Sequence, residues 1–260
     1  MRNSPVLLFA LLVVGACVAA PNWAQSAQSP SAEDLLRQAA RAAGKGESAK
    51  AVEMANRAIE LDPTQADAYY LRGRENFRLG NMKQSLADFD KYVAMRPAAA
   101  SRQWERGITC YYAGEFEKGA KQFELYQTYH DNDVENSVWR YLCVARDEDV
   151  QQARKTILPI KDDRRVPMMQ VYRLFRGELK PNDVLEACRR DEPDEADLAA
   201  RLFYANLYLG LYYEAQGESQ LAKQHIFAAA ANDKPNPRVN RYMWDVARIH
   251  AEQMRARDKQ

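Results

Sequence analysis

The sequence predicts an all-α solenoid of antiparallel helix pairs, with an irregular helical middle and a C-terminal capping helix. Three observations carry that expectation. Residues 66–97, ADAYYLRGRENFRLGNMKQSLADFDKYVAMRP, read as two amphipathic helices joined by a tight Gly80-Asn81 turn and stopped by Pro97. Pro63 and Pro97 lie 34 residues apart, as do Arg72 and Arg106, Gly73 and Gly107, and Gly80 and Gly114, a spacing used by helix-turn-helix repeat units. The composition agrees, since 11 Gly and 11 Pro in 260 residues leave few helix breakers.

The N-terminus carries a separate message. Arg2 supplies a positive start, and Val6 to Ala20 is an apolar run, LLFALLVVGACVAA within it, followed by the polar PNWAQSAQSPS. The run is short for a helix that must cross hydrocarbon, which takes about 20 residues, so residues 1–26 read as an export signal. Two exits stay open. Val14-Gly15-Ala16-Cys17 has the form of a lipobox, with cleavage after residue 16 and a lipid on Cys17. A cut after Ala24-Gln25-Ser26 instead releases a soluble chain. Either exit is expected to take the mature chain out of the cytoplasm, lipid-anchored in the first case. Residues 27–31 are a linker.

Residues 32–146 hold the repeats. Ser31 caps a helix from Ala32 to Ala43, Gly44-Lys45-Gly46 turns the chain, and Ala51 to Leu61 forms the second helix. The unit at 66–97 comes next. A third starts near Ala100, uses Trp104, Gly107 and Tyr111, turns at Gly114-Glu115 and continues through Phe123 and Tyr126. Val138, Trp139, Tyr141, Leu142 and Cys143 open a fourth. Residues 147–197 lose the period, with helices expected at Val150–Ile157, Met168–Phe175 and Pro181–Arg190. In residues 198–254 the pattern returns, with Gly210 and Gly217 seven apart like Gly73 and Gly80, and Arg238 to Met254 forms a capping helix that covers the last apolar face. Residues 255–260 are a charged tail.

The YYLRG and QWERG starts at Tyr69 and Gln103, with the turn glycines behind them, resemble the tetratricopeptide repeat. The order of parts also resembles the NlpI family of bacterial outer-membrane lipoproteins. It runs through a signal, tandem repeats, VWRYL, an irregular middle, NLYLGLYYEAQGESQLAKQHIFAAAAND and NRYMWDVARIH. That resemblance implies a periplasm-facing adaptor, often dimeric, that gathers a processing protease and peptidoglycan hydrolases; it carries no catalytic residue over. An assembly factor for a secretion or outer-membrane subunit is the alternative, and an envelope enzyme a third.

First helices of such repeats line a concave face. Solvent-facing positions there are expected at Asp67, Tyr70, Arg74, Phe77 and Arg78, at Ser101, Trp104, Ile108, Tyr111 and Tyr112, and at Glu135, Val138, Leu142 and Arg146. Aromatics flanked by arginines suit an extended or helical peptide with apolar anchors and some acidic character; the competing expectation puts half of these aromatics in the inter-repeat core. Leu36, Ala40, Tyr70, Arg74, Trp104 and Ile108 stand where a carboxylate clamp needs Lys and Asn, which argues against one.

Other classes find little support. The 37 basic and 36 acidic residues nearly cancel, so no overall field draws in nucleic acid or an anionic bilayer. Asp147-Glu148-Asp149 and Asp191-Glu192-Pro193-Asp194-Glu195 read as helix caps and solvated turns rather than acid/base pairs. His130, His225 and His250 are scattered and no CxxC occurs, so no metal or cofactor is expected. Cys110, Cys143 and Cys188 are either buried thiols or, for the first two, a disulfide between neighbouring repeats.

Overall fold

A computed structural model describes residue 1 and residues 29–259, and every regular element in them is a helix. The export signal, both of its exits, Cys17 and the start of the linker lie outside the described residues. Helices α1 (Ala32–Gly44) and α2 (Ser48–Leu61), α3 (Ala66–Arg78) and α4 (Met82–Met95), and α5 (Trp104–Ala113) and α6 (Phe116–Gln127) form three successive antiparallel pairs. A fourth pair, α7 (Val134–Asp147) and α8 (Val150–Lys155), is cut short. Then come α9 (Met168–Phe175) and α10 (Pro181–Ala187), a long pair α11 (Glu195–Ala215) and α12 (Ser219–Ala229), and the closing α13 (Arg241–Arg257).

Local chemistry explains most helix ends. Ser31 Oγ accepts from the Asp34 amide at 3.1 Å while Asp34 accepts from the Ser31 amide, a capping box that fixes the start of α1. Several bounds differ from the sequence expectation. α2 begins at Ser48, ahead of the expected Ala51. The third repeat begins its α-helix at Trp104, because Pro97–Arg102 takes a 3-10 turn first. α8 ends at Lys155 and α10 at Ala187. Beyond α10 the chain passes through left-handed Asp191 (φ 61) and Glu192 (φ 47). Asp194 then caps α11 through the Asp197 amide at 2.8 Å, so the late pair begins at Glu195. α13 is capped by Asn240 and runs through the expected tail to Arg257.

The seven-residue glycine spacing has two separate causes. At Gly107 a Cβ would sit 2.6 Å from Phe123 Cζ, and at Gly210 2.5 Å from Ile226 Cγ1, so the first glycine lets the two helices of a pair cross closely. The second, Gly114 or Gly217, ends the first helix at φ 81, a left-handed turn that other residues resist.

Arginines at the same 34-residue period stitch successive pairs together. Arg72 donates to Asn56 on α2 at 2.7 Å and to both oxygens of Asp88 on α4 at 2.6 and 2.9 Å. Arg106 reaches Asp90 on α4 at 2.9 Å and Gln122 on α6 at 2.6 Å. Arg140 reaches Glu124 on α6 at 2.8 Å and the Thr156 carbonyl after α8. Each guanidinium therefore binds the second helix of its own repeat, or the residue just past it, and the second helix of the repeat before.

Behind this framework the apolar side chains fall into two cores. A small one, Leu35, Ala39, Met54, Ala55, Ala58 and Ala68, belongs to the first pair and the start of the second. The large one runs from Phe77 to Met254 and joins the repeats to α9, α11 and α13. The three described cysteines are free and buried, Cys110 on α5, Cys143 on α7 and Cys188 just past α10, and burial pushes the Cys110 and Cys188 thiols up to about 11.

Two substitutions test these roles. Gly210→Ala should lower stability by about 1–3 kcal/mol through overpacking against Ile226, whereas Gly44→Ala, with open space around it, should be neutral or slightly stabilising in the same denaturant titration. Arg72→Ala leaves the buried Asp88 carboxylate with only the Asn76 amide beside it and should cost about 3 kcal/mol; a loss below about 0.5 kcal/mol would remove the arginine from its stitching role.

Candidate partner-binding face

α1, α3, α5 and α7 present one side of the stack, and the rest of the chain decides how much of it stays open. The irregular middle and the late pair fold back over it. Tyr208 on α11 donates to Glu135 on α7 at 2.6 Å, and Arg165, from the segment before α9, binds the same Glu135 at 2.6 Å and Asp133 at 2.8 Å. α13 lies against α12, as an end cap would, but its other side enters the concave face.

Tyr242 is the centre of that contact. Its ring stacks on Phe77 at 4.7 Å and meets Trp104 edge-on at 5.1 Å, and its hydroxyl lies 3.3 Å from Thr109 Oγ1. One turn on, the Asp245 carboxylate accepts from Arg78 Nε at 2.9 Å, with Arg241 and Arg248 beside it. Burial pushes the Asp245 carboxyl up, and the three guanidinium groups oppose that shift. Arg248 donates to the Arg78 carbonyl at 2.7 Å. Further along, His250 Nδ1 lies 2.8 Å from the Tyr112 hydroxyl. Burial pushes the Tyr112 phenol well above its usual range, and the other ring nitrogen, Nε2, lies 3.0 Å from Glu214. Burial would raise the Glu214 carboxyl, yet His250 and Arg257 outweigh it and hold it at about 2. Tyr242, Met243, Val246, Ile249 and Met254 are all buried, a gross apolar gain on the order of 10 kcal/mol.

The sequence-expected groove residues therefore divide. Phe77, Ile108, Tyr111, Val138 and Leu142 are in the core rather than facing solvent, because α9, α11 and α13 share that core with them. Arg78 is spent on Glu75 and Asp245, Tyr112 on His250, and Glu135 on Arg165 and Tyr208. Trp104 is half-buried beside Tyr242. Tyr70, Arg74, Asp67 and Arg146 keep exposed surface, as does Ser101 in part. Arg146 stacks over Phe116 at 5.0 Å, outside the open part of the face.

That open part is a cleft of 490 Å³ between α1 and α3, floored by Leu36, Ala40, Ala43, Leu71, Tyr70 and Arg74, with Asp67, Glu75 and Arg78 also in its wall. Arg74 is positioned by the rings of Tyr70 and Tyr242, 5.7 and 5.9 Å from its guanidinium centre. Its nearest carboxylate, Glu105, lies 3.6 Å away and is already held by the Tyr70 hydroxyl at 2.8 Å. Burial pushes the Glu105 carboxyl up, and Arg74 Nε makes no hydrogen bond. An apolar floor with one incompletely paired guanidinium suits a carboxylate-bearing chain segment.

Tyr242, Asp245 and His250 escaped sequence reasoning. The signal was the width of the apolar stripe on α13, where residues 242, 243, 246, 247, 249, 250, 251 and 254 are all buried; a helix covering only the end of a stack needs a narrower one. Among the described residues no cluster of His, Cys, Asp and Glu could hold a metal, and no helix is long and apolar enough to cross a membrane.

Comparison with known proteins bears on the fold. The tetratricopeptide repeat pattern matches residues 66–98, which are the α3–α4 pair and its exit. Among solved structures, MamA (residues 41 to the end) from Desulfovibrio magneticus RS-1 is 13% identical over 80% of this chain and 100% of its own, with a TM-score of 0.48. The C-terminal part of a TPR repeat-containing protein from Cytophaga hutchinsonii is 21% identical over 80% of this chain and 71% of its own, with a TM-score of 0.41. Residues 66–98 thus match a tetratricopeptide repeat outright, and helix pairs flank it on either side with second helices at the same 34-residue spacing.

Proposed function

We propose that this protein is a non-enzymatic adaptor of the bacterial cell envelope, which holds a partner protein in the cleft between α1 and α3. The observation that carries the reading is that cleft: 490 Å³ on the concave side, with an apolar floor and an Arg74 whose Nε has no hydrogen-bond partner. Protein binding is what tetratricopeptide repeats do, so the scaffold class rests on the fold. The envelope location rests on the export signal read from residues 1–26, and the choice of partner, a processing protease or peptidoglycan hydrolases, on the resemblance in the order of parts to the NlpI family. On this reading Cys17 carries a lipid that keeps the repeats near the outer membrane, and two copies can pair as members of that family do.

The groove expected from sequence narrows to Tyr70 and Arg74 with Leu36, Ala40, Ala43 and Leu71, since α13 occupies the neighbouring stretch. Capture from envelope fractions of the native organism tests it. The wild-type chain should recover a protease or cell-wall hydrolase. Ala40→Arg combined with Arg74→Gln should weaken capture at least tenfold, about 1.4 kcal/mol, with helical circular dichroism unchanged. Capture that survives the pair would mean that the partner binds elsewhere than the cleft; recovery of secretion or outer-membrane subunits instead would point to an assembly factor.

A further inference from the structure

α13 packs into the concave face. It is read by side chains far from it in sequence: Tyr242 by Phe77, Trp104 and Thr109, Asp245 by Arg78, and His250 by Tyr112. The connection that delivers it, residues 231–240, has no helix and carries Pro235 and Pro237. Two surface ties fasten that connection to the start of α11, namely Asn236 to the Ala196 carbonyl at 2.8 Å and Arg238 to Asp194 at 2.8 Å.

We propose that this seat accepts a partner's amphipathic helix bearing an aromatic residue and, three residues later, a carboxylate, and that α13 holds the seat in its absence. The inference rests on the scaffold reading above and names the partner's chemistry at a second, adjacent stretch of the same face. The charge at the seat selects for such a helix. Arg78 is only 11% exposed and shares its charge between Glu75 and Asp245. An incoming helix without an acid at the Asp245 position leaves Glu75 as the one carboxylate on that guanidinium and strips its buried Nε of a partner, which is costly. The aromatic position is selected by the slot between Phe77 and Trp104, where a ring gains stacked and edge-on contacts at once. Exchange trades like for like, so the barrier to a partner is the tether: a connection this short gives α13 an effective concentration of at least about millimolar at its own seat. A partner competes when it is itself concentrated by tethering, or when the 231–240 connection is cut.

The test places a specific protease site in residues 231–239 of the full chain. A fluorescein-labelled peptide of residues 239–257 is the probe, and its Tyr242→Ala/Asp245→Asn counterpart the control. Anisotropy should show binding to the uncut chain only near millimolar peptide, and at least about 100-fold tighter uptake once the tether is cut. The control peptide should bind at least about tenfold more weakly than the parent. Loss of helical circular dichroism on cutting, retention of the original helix against a large excess of peptide, or equal uptake of both peptides would each overturn the proposal. The Ala40→Arg/Arg74→Gln capture test uses a different set of residues, so either reading can fail alone.

Discussion

The arginines at 72, 106 and 140 set the geometry on which everything else depends. Each holds a carboxylate or carboxamide on the second helix of its own repeat or the one before, so the 34-residue period is a spacing of guanidinium stitches as much as of helices. Exposed ion pairs of this kind would contribute little. These arginines are 12–23% exposed, with Asp88 at 5%, and a partly buried bidentate pair is costly to break. The stitches bind second helices to second helices, which leaves the first helices free to present their faces on the other side. Where the stitching ends, after Arg140 and Thr156, regular stacking ends too.

Past that point the chain turns back on the stack instead of extending it. α9, α11 and α13 bring Tyr172, Phe175, Tyr208 and Tyr242 into the same core as Phe77, Ile108 and Val138. A repeat array with aromatic concave positions has apolar surface to cover, and this chain covers the later part of it with its own C-terminal half. The part left open belongs to α1 and α3, whose own small core is packed largely with alanine. Openness at that end and closure at the other give the molecule two unlike stretches on one face: a cleft with Arg74 incompletely paired, and a seat already filled.

How much of this the sequence revealed depended on whether the controlling interaction was local. The glycine pairs at 73/80, 107/114 and 210/217 mark close crossings and left-handed turns, each decided within one helix pair, and the repeats were legible from them. Helix ends shifted where a cap or a proline acted over a few residues, as at Asp194 and Pro97. The candidate face was half legible. Tyr70 and Arg74 are half-buried and reach the open cleft where the repeat register places them, but Phe77, Ile108, Tyr111 and Val138 sit at equally regular positions and are buried. Nothing in their own repeats distinguishes them, because the helices that bury them, α9, α11 and α13, come much later in the chain. Only the wide apolar stripe of α13 hinted that a helix expected at the end of the stack had a second surface to meet.

The central claim is that the chain's last helix occupies the concave face beside Phe77 and Trp104. Nuclear Overhauser contacts between selectively labelled aromatic rings in the full chain test it most directly. Cross-peaks from Tyr242 to Phe77 and to Trp104, at ring separations of 4.7 and 5.1 Å, are the predicted result. A Tyr242 ring with neighbours only on α12, and Phe77 accessible to a soluble paramagnetic probe, would contradict it.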